Sequence, residues 1–216
     1  MSHQPDCNLK NHLTPTECVG LLLTGGTSHR FGRNKLTQPL GRQSVVQFAA
    51  QALTTTCRTT FEVGAGLTDL PQIPDSMGRG PLAAIAQAVT YLRANGILKS
   101  NQCALVLAGD VPLISSSTLA IIAHWPGNSS VIPVVNGREQ YLAARWSPQC
   151  LDNSVTFAKR GSLKIKNALD APKTQYLSLN KWNNDRNFEF LDVDTPDQIS
   201  KVTDALRTIT ERRPQS

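Results

Sequence analysis

The residues best suited to chemistry begin with one loop: Leu22-Leu23-Thr24-Gly25-Gly26-Thr27-Ser28-His29-Arg30-Phe31-Gly32-Arg33-Asn34-Lys35. Glycines let backbone N–H groups turn inward and approach an oxyanion closely, and Arg30 and Lys35 add positive charge at two points of the same loop. That pairing suits a phosphate. The loop is not a Walker A sequence, because Lys35 is followed by Leu36, and it lacks the G-x-G-x-x-G spacing of dinucleotide-binding loops. Three carboxylates stand out further along the chain. Asp110 ends an apolar run directly before Val111-Pro112, while Asp192 and Asp194 are two apart, so that both would point to one side of a strand.

Charge is distributed to match. The 216 residues carry 22 Lys+Arg against 16 Asp+Glu, a net charge of +6. No Asp or Glu falls between Cys18 and Phe61, where Arg30, Arg33, Lys35, Arg42 and Arg58 all lie. A second acid-free patch, Lys159-Arg160-Gly161-Ser162-Leu163-Lys164-Ile165-Lys166, adds four more cations. Local excesses of this kind attract phosphorylated partners, whether nucleic acid, nucleotide or anionic lipid; a solvated basic face is the competing reading of the second patch.

These residues need elements to position them. Cys18–Thr24 is continuously apolar, which predicts a strand covered on both faces and ending in the glycine loop. Val45, Val46, Phe48, Ala49, Ala52 and Leu53 recur at helical spacing behind a cap at Ser44, and Phe61–Ala65 reads as a strand. Gly80-Pro81 opens an alanine-rich helix, with proline at the first helical position. Cys103–Ala108, Val131–Val135, Tyr141–Trp146, Tyr176–Leu179 and Phe188–Asp194 read as further strands. Leu119–Ala123 and Val155–Leu169 read as helical, and a last helix runs from Thr195-Pro196-Asp197 to about Thr208. Strands alternating with crossover helices predict a three-layer α/β/α, Rossmann-like domain with a mostly parallel sheet. In such a sheet ligands sit beyond the carboxyl ends of the strands, where both the glycine loop and Asp110 fall. The expected domain spans residues 17–211, with a flexible segment at 1–16 and a tail at 212–216.

Other classes are excluded or disfavoured. The longest apolar runs fall far short of the roughly 20 residues that cross a bilayer, and Met1–Thr16 is polar rather than a basic–apolar signal. Five scattered cysteines, Cys7, Cys18, Cys57, Cys103 and Cys150, form no Cys-x-x-Cys pair and fit a reducing, cytoplasmic setting, with Cys18, Cys57 and Cys103 as core residues. The basic stretch lacks interleaved aromatics beyond Phe31 and Phe48 and any groove-reading motif, which disfavours nucleic acid.

The pattern LxGGxSxRxGxxK, filled here from Leu23 to Lys35, resembles the signature loop of nucleotidyltransferases of the sugar-nucleotide pyrophosphorylase superfamily, above all the MobA-like molybdenum cofactor guanylyltransferases. Three more segments agree in order: Asp75 leading to Gly80-Pro81-Leu82, Leu107–Leu113 with Asp110 in its D-x-P, and Leu191–Asp197. The resemblance implies transfer of GMP from GTP to molybdopterin with release of pyrophosphate. It places Leu23, Thr24, Gly25, Gly26, Asp75, Gly80, Pro81 and Leu82 around the nucleotide. Arg30 and Lys35 then hold the triphosphate and its leaving group. A lone carboxylate at Asp110 would be repelled by that triphosphate, so Mg²⁺ is expected to bridge them, with Asp194, or else Asp192, completing the metal shell. For Asp110 the competing role is a turn or helix cap. For Asp194 and Thr195 it is capping of the last helix, where Asp197 favours the dipole. The second basic patch would seat the acceptor's phosphate, and cofactor-biosynthesis proteins are candidate partners. Gly64 stands where the family usually carries Asn, Asn34 where an acidic residue commonly precedes the lysine, and Gln140-Tyr141-Leu142 lacks a His-Pro. The rival readings are cytidylyl transfer or another small-metabolite nucleotidyl transfer on the same fold, and a non-catalytic nucleotide-binding module.

Overall fold

The apolar run Thr16–Leu23 forms strand β1, buried along nearly all of its length. In chain order there follow a 3-10 turn at Lys35–Thr37, the hairpin β2 (Pro39–Leu40) and β3 (Gln43–Ser44), α1 (Val45–Thr56), β4 (Cys57–Val63), β5 (Gln72–Ile73), α2 (Pro81–Ala94), β6 (Ala104–Ala108) and α3 (Ser116–Ala123). The second half comprises β7 (Ser130–Val135), β8 (Arg138–Glu139), β9 (Ala143–Trp146), α4 (Pro148–Lys159), α5 (Ile165–Ala168), β10 (Thr174–Ser178) and α6 (Pro196–Glu211). This computed structural model describes residues 14–25, 34–75, 79–169, 174–178 and 188–211.

One sheet runs in the order β10-β7-β9-β6-β1-β4-β5, with β8 attached to β7. β1 lies between β4 and β6 and is parallel to both, while β9 alone in that order runs antiparallel to its neighbours β6 and β7. Alternate residues of the central strands face opposite layers. Leu22, Leu105 and Leu107 pack with α1, α3 and Val202 of α6; Val19, Leu21, Leu23, Ala104 and Val106 pack with α2, α4 and α5. The result is a three-layer α/β/α architecture with a mostly parallel sheet, as the element pattern predicts. The chain leaves β1 for β4 on one side and later returns to β6 on the other. The carboxyl ends of β1 and β6 therefore flank the switch point at which such sheets bind ligands.

Several boundaries differ from expectation. β4 begins at Cys57 rather than Phe61, because its exposed Arg58 and Thr59 conceal the strand from an apolar count. α4 begins at Pro148, not Val155: the Ser147 side chain accepts the Cys150 N–H at 3.2 Å and proline follows as the first helical residue. The expected strand at Phe188–Asp194 does not form. Residues 188–190 make a 3-10 turn and 191–194 run outside any ladder. The buried apolar residues there, Phe190 and Val193, are three apart rather than two and Glu189 is buried beside Phe190, so no alternating strand face exists, and the Val193 N–H goes instead to the Asp110 carbonyl at 2.9 Å. Cys18, Cys57, Cys103 and Cys150 are buried free thiols, with Cys103 pushed up to about 11 by burial and the neighbouring Cys18. Among the described residues no helix is long and apolar enough to cross a membrane.

Candidate active site

The glycine loop leaves the sheet at a stitched corner. The Gly109 N–H donates to the Leu23 carbonyl, and the Thr24 N–H to that of Val63, both at 2.9 Å, tying the carboxyl ends of β1, β4 and β6 together. Thr24 Oγ1 donates to Glu62 Oε1 at 2.6 Å and accepts the Ala65 N–H at 3.0 Å. Glu62 has no solvent exposure and also receives the N–H of Leu67 (2.7 Å), the N–H of Thr68 (2.8 Å) and the Thr68 hydroxyl (2.7 Å). Burial pushes its carboxyl up, yet these hydrogen bonds together outweigh burial and hold it below the usual glutamate range, as an anion. The sequence reading did not single out Glu62. Its only signal was a charged residue inside a short strand.

Gly64 follows at φ +136°, and a Cβ there would lie 2.8 Å from both the carbonyl carbon and Oγ1 of Thr24 and would overlap the Gly25 nitrogen. No side chain fits, so the family's asparagine has no room at this corner. Asp75 sits against the loop: a Cβ on Gly25 would come 3.0 Å from Asp75 Oδ2. Gly80, at φ +95°, precedes α2, and its carbonyl accepts the N–H groups of Ala83 and Ala84. Pro81 is the exposed first residue of α2, whereas Leu82 is fully buried in the core and presents no surface to a ligand. Gly26 and Arg30 lie outside the described residues.

Across this corner, four charged side chains converge. Asn34 caps the 3-10 turn by accepting the Leu36 N–H at 3.1 Å, and so fixes the base of Lys35. Lys35 Nζ lies 2.6 Å from Asp110 Oδ2 and 2.6 Å from Asp194 Oδ1. Burial presses the ammonium's pKa down, but the two carboxylates outweigh it and raise the value, so Lys35 is firmly protonated. Asp192 is raised, first by burial and then by the carboxylates of Asp194 and Asp110. Asp194 is held at the start of α6 by Gln198 Oε1, which accepts the N–H groups of Asp194 (2.6 Å) and Thr195 (2.7 Å). Capping thus involves Thr195 and Gln198, while the Asp194 carboxylate faces Lys35.

Two carboxylates around one ammonium leave negative charge that a hard divalent cation would neutralise, and both donors are oxygens. Among the described residues no three His, Cys, Asp or Glu are close enough to form a complete cage. Asp110 and Asp194 could therefore hold such an ion only if its remaining positions were filled by other ligands. Further along the same edge, the Ala108 N–H donates to the Leu142 carbonyl at 2.7 Å, which brings Tyr141 beside the end of β6. Lys166 lies 3.5 Å from Glu139 there, and that carboxylate raises its pKa. Arg58 belongs elsewhere: it is the second residue of β4, at the opposite end of the sheet, and pairs with Glu17 at 3.1 Å.

Residues 20–172 match the family model of the MobA-like NTP transferase domain. A protein of Mycobacterium avium named "Probable molybdenum cofactor guanylyltransferase" is 26% identical over 173 residues, covering 76% of this chain and 86% of that protein. A protein of the same name from Mycobacterium tuberculosis is 28% identical over 163 residues, covering 71% and 79%. Among solved structures, the molybdopterin-guanine dinucleotide biosynthesis protein A of Archaeoglobus fulgidus superposes with a TM-score of 0.70 at 18% identity, covering 88% of this chain and 99% of that one. A 4-diphosphocytidyl-2C-methyl-D-erythritol synthase gives 0.62 at 10% identity, covering 89% and 99%. These structural likenesses carry the fold.

Proposed function

The chain belongs to the MobA-like NTP transferase family, and from that premise we propose that it transfers GMP from GTP to molybdopterin and releases pyrophosphate. The names of its sequence relatives support the substrates. The observation that carries the reaction class is the meeting of Lys35, Asp110 and Asp194 at the switch point, beside the stem of a glycine loop. In the reaction a phosphate oxygen of the acceptor forms a bond to the α-phosphorus as the bond to the β-phosphate breaks, and pyrophosphate leaves with the electron pair. Both partners are anions, so positioning and charge neutralisation carry the acceleration. Main-chain groups of Leu23, Thr24, Gly25 and Gly26 line the nucleotide. Asp75 contacts its base or sugar, and the main chain of Gly80 and Pro81 faces the purine edge, with the buried Leu82 packed behind them. Arg30 and Lys35 hold the triphosphate and the departing pyrophosphate. Mg²⁺, held by Asp110 with Asp194 or Asp192, supplies further positive charge when bound. Lys159, Arg160, Lys164 and Lys166 seat the acceptor's phosphate. The free buried thiols favour a reducing cytoplasm.

A second reading, cytidylyl transfer to the same acceptor, draws on Gly64, which leaves the base without a side chain at that corner. Pyrophosphate release measured with molybdopterin and each of GTP, CTP and ATP separates the two: turnover with GTP alone is expected, and turnover with CTP alone overturns guanylyl transfer. Asp110→Asn should lower kcat by about 100-fold or more.

A further inference from the structure

We propose that Lys35 is a stand-in for the divalent cation: its ammonium holds the Asp110 and Asp194 carboxylates together until metal and triphosphate arrive, and it must leave them for the metal to enter. The inference rests on reading this site as one for nucleotidyl transfer. The ammonium approaches one oxygen of each carboxylate at 2.6 Å, and those oxygens are the hard donors a divalent ion would take. Both cations cannot hold the same oxygens at once.

The main chains that carry the two carboxylates are anchored close to the contact. The main chain of Asp110 is tied to Val193 at 2.9 Å, and that of Asp194 to the Gln198 side chain at 2.6 Å. Lys35 instead carries its charge on a four-carbon stem that can swing. It also stands at the end of the glycine loop, so the charge withdrawn from the carboxylates becomes available to the incoming phosphates. Nucleotide that draws Lys35 away therefore tightens metal binding, and by linkage metal tightens nucleotide binding to the same degree. A lysine acting only on the triphosphate would produce no such exchange.

Titration calorimetry of the full chain with MgCl₂ alone tests this. Lys35→Met should bind Mg²⁺ at least about 10-fold more tightly than wild type, since it frees two carboxylates from a competing cation. The control Arg42→Met loses the same charge at the exposed β2–β3 turn and should stay within about twofold, as expected for a screened surface charge. Equal or weaker Mg²⁺ binding by Lys35→Met overturns the exchange, as does equal tightening in Arg42→Met. If Lys35→Met folds poorly, Lys35→Gln is melted with and without Mg²⁺: recovery of Tm by Mg²⁺ supports the proposal, and a Tm indifferent to Mg²⁺ overturns it. Pyrophosphate release by wild type reports separately on the proposed reaction, so a chain that used CTP would lose its guanylyl assignment and keep the exchange.

Discussion

A carboxylate with no solvent exposure stays ionised at Glu62 because donors from Thr24, Leu67 and Thr68 surround it. Glu62→Gln turns an amide N–H₂ toward those donors and should cost about 3 kcal/mol, read by urea denaturation. In the folded protein the carboxyl lies below its ordinary value of 4.5. The ionised group therefore contributes stability above 4.5, and that contribution fades as pH falls through the lower folded value. The gap between wild type and Glu62→Gln should be flat near neutrality and close in acid; a gap that widens in acid contradicts the assignment. Gly64 tests the same corner. Gly64→Ala meets both a positive φ and the Thr24–Gly25 backbone, so it should lose about 2–3 kcal/mol in a thermal melt. It should also raise KM for GTP more than it lowers kcat, because it displaces the loop stem rather than the charged cluster.

At the level of elements, the site depends on how helices and turns are capped. Asn34 caps the turn that carries Lys35, and Thr195 with Gln198 opens α6 directly after Asp194. Ser115 caps α3 by accepting the Thr118 N–H, while its own N–H and hydroxyl donate to Glu189 at 3.0 and 2.8 Å. That last contact anchors the segment leading to Asp192 and Asp194. Ser147 shows the energetic weight of a cap away from the site: Ser147→Ala should destabilise the protein by about 1 kcal/mol with kcat and KM unchanged. An altered kcat would mean that α4 communicates with the cluster.

Taken as a whole, the molecule has two cores separated by one sheet. Ile122 of α3 lies in the layer with α1, and Ile85 of α2 in the layer with α4, both fully buried. Ile85→Val and Ile122→Val should each cost about 1 kcal/mol, and their costs should add within about 0.5 kcal/mol in the double variant, because the two lie in separate core clusters. A large coupling energy in denaturant titrations would show that the sheet transmits strain between layers.

The sequence by itself determined the layer architecture, the loop, and the order of the acidic segments, because hydrophobic period and glycine placement are local properties. It also left room for error where local signals mislead: Arg58 was counted with the cationic loop, and Phe188–Asp194 read as a strand. Tertiary structure alone decided that Lys35 meets carboxylates 75 and 159 positions away, that Arg58 faces the opposite end of the sheet, and that no side chain fits at Gly64. The physical reason is strand order. Which strand ends share an edge depends on how crossovers pack both faces of the sheet, and separation along the chain carries no record of it.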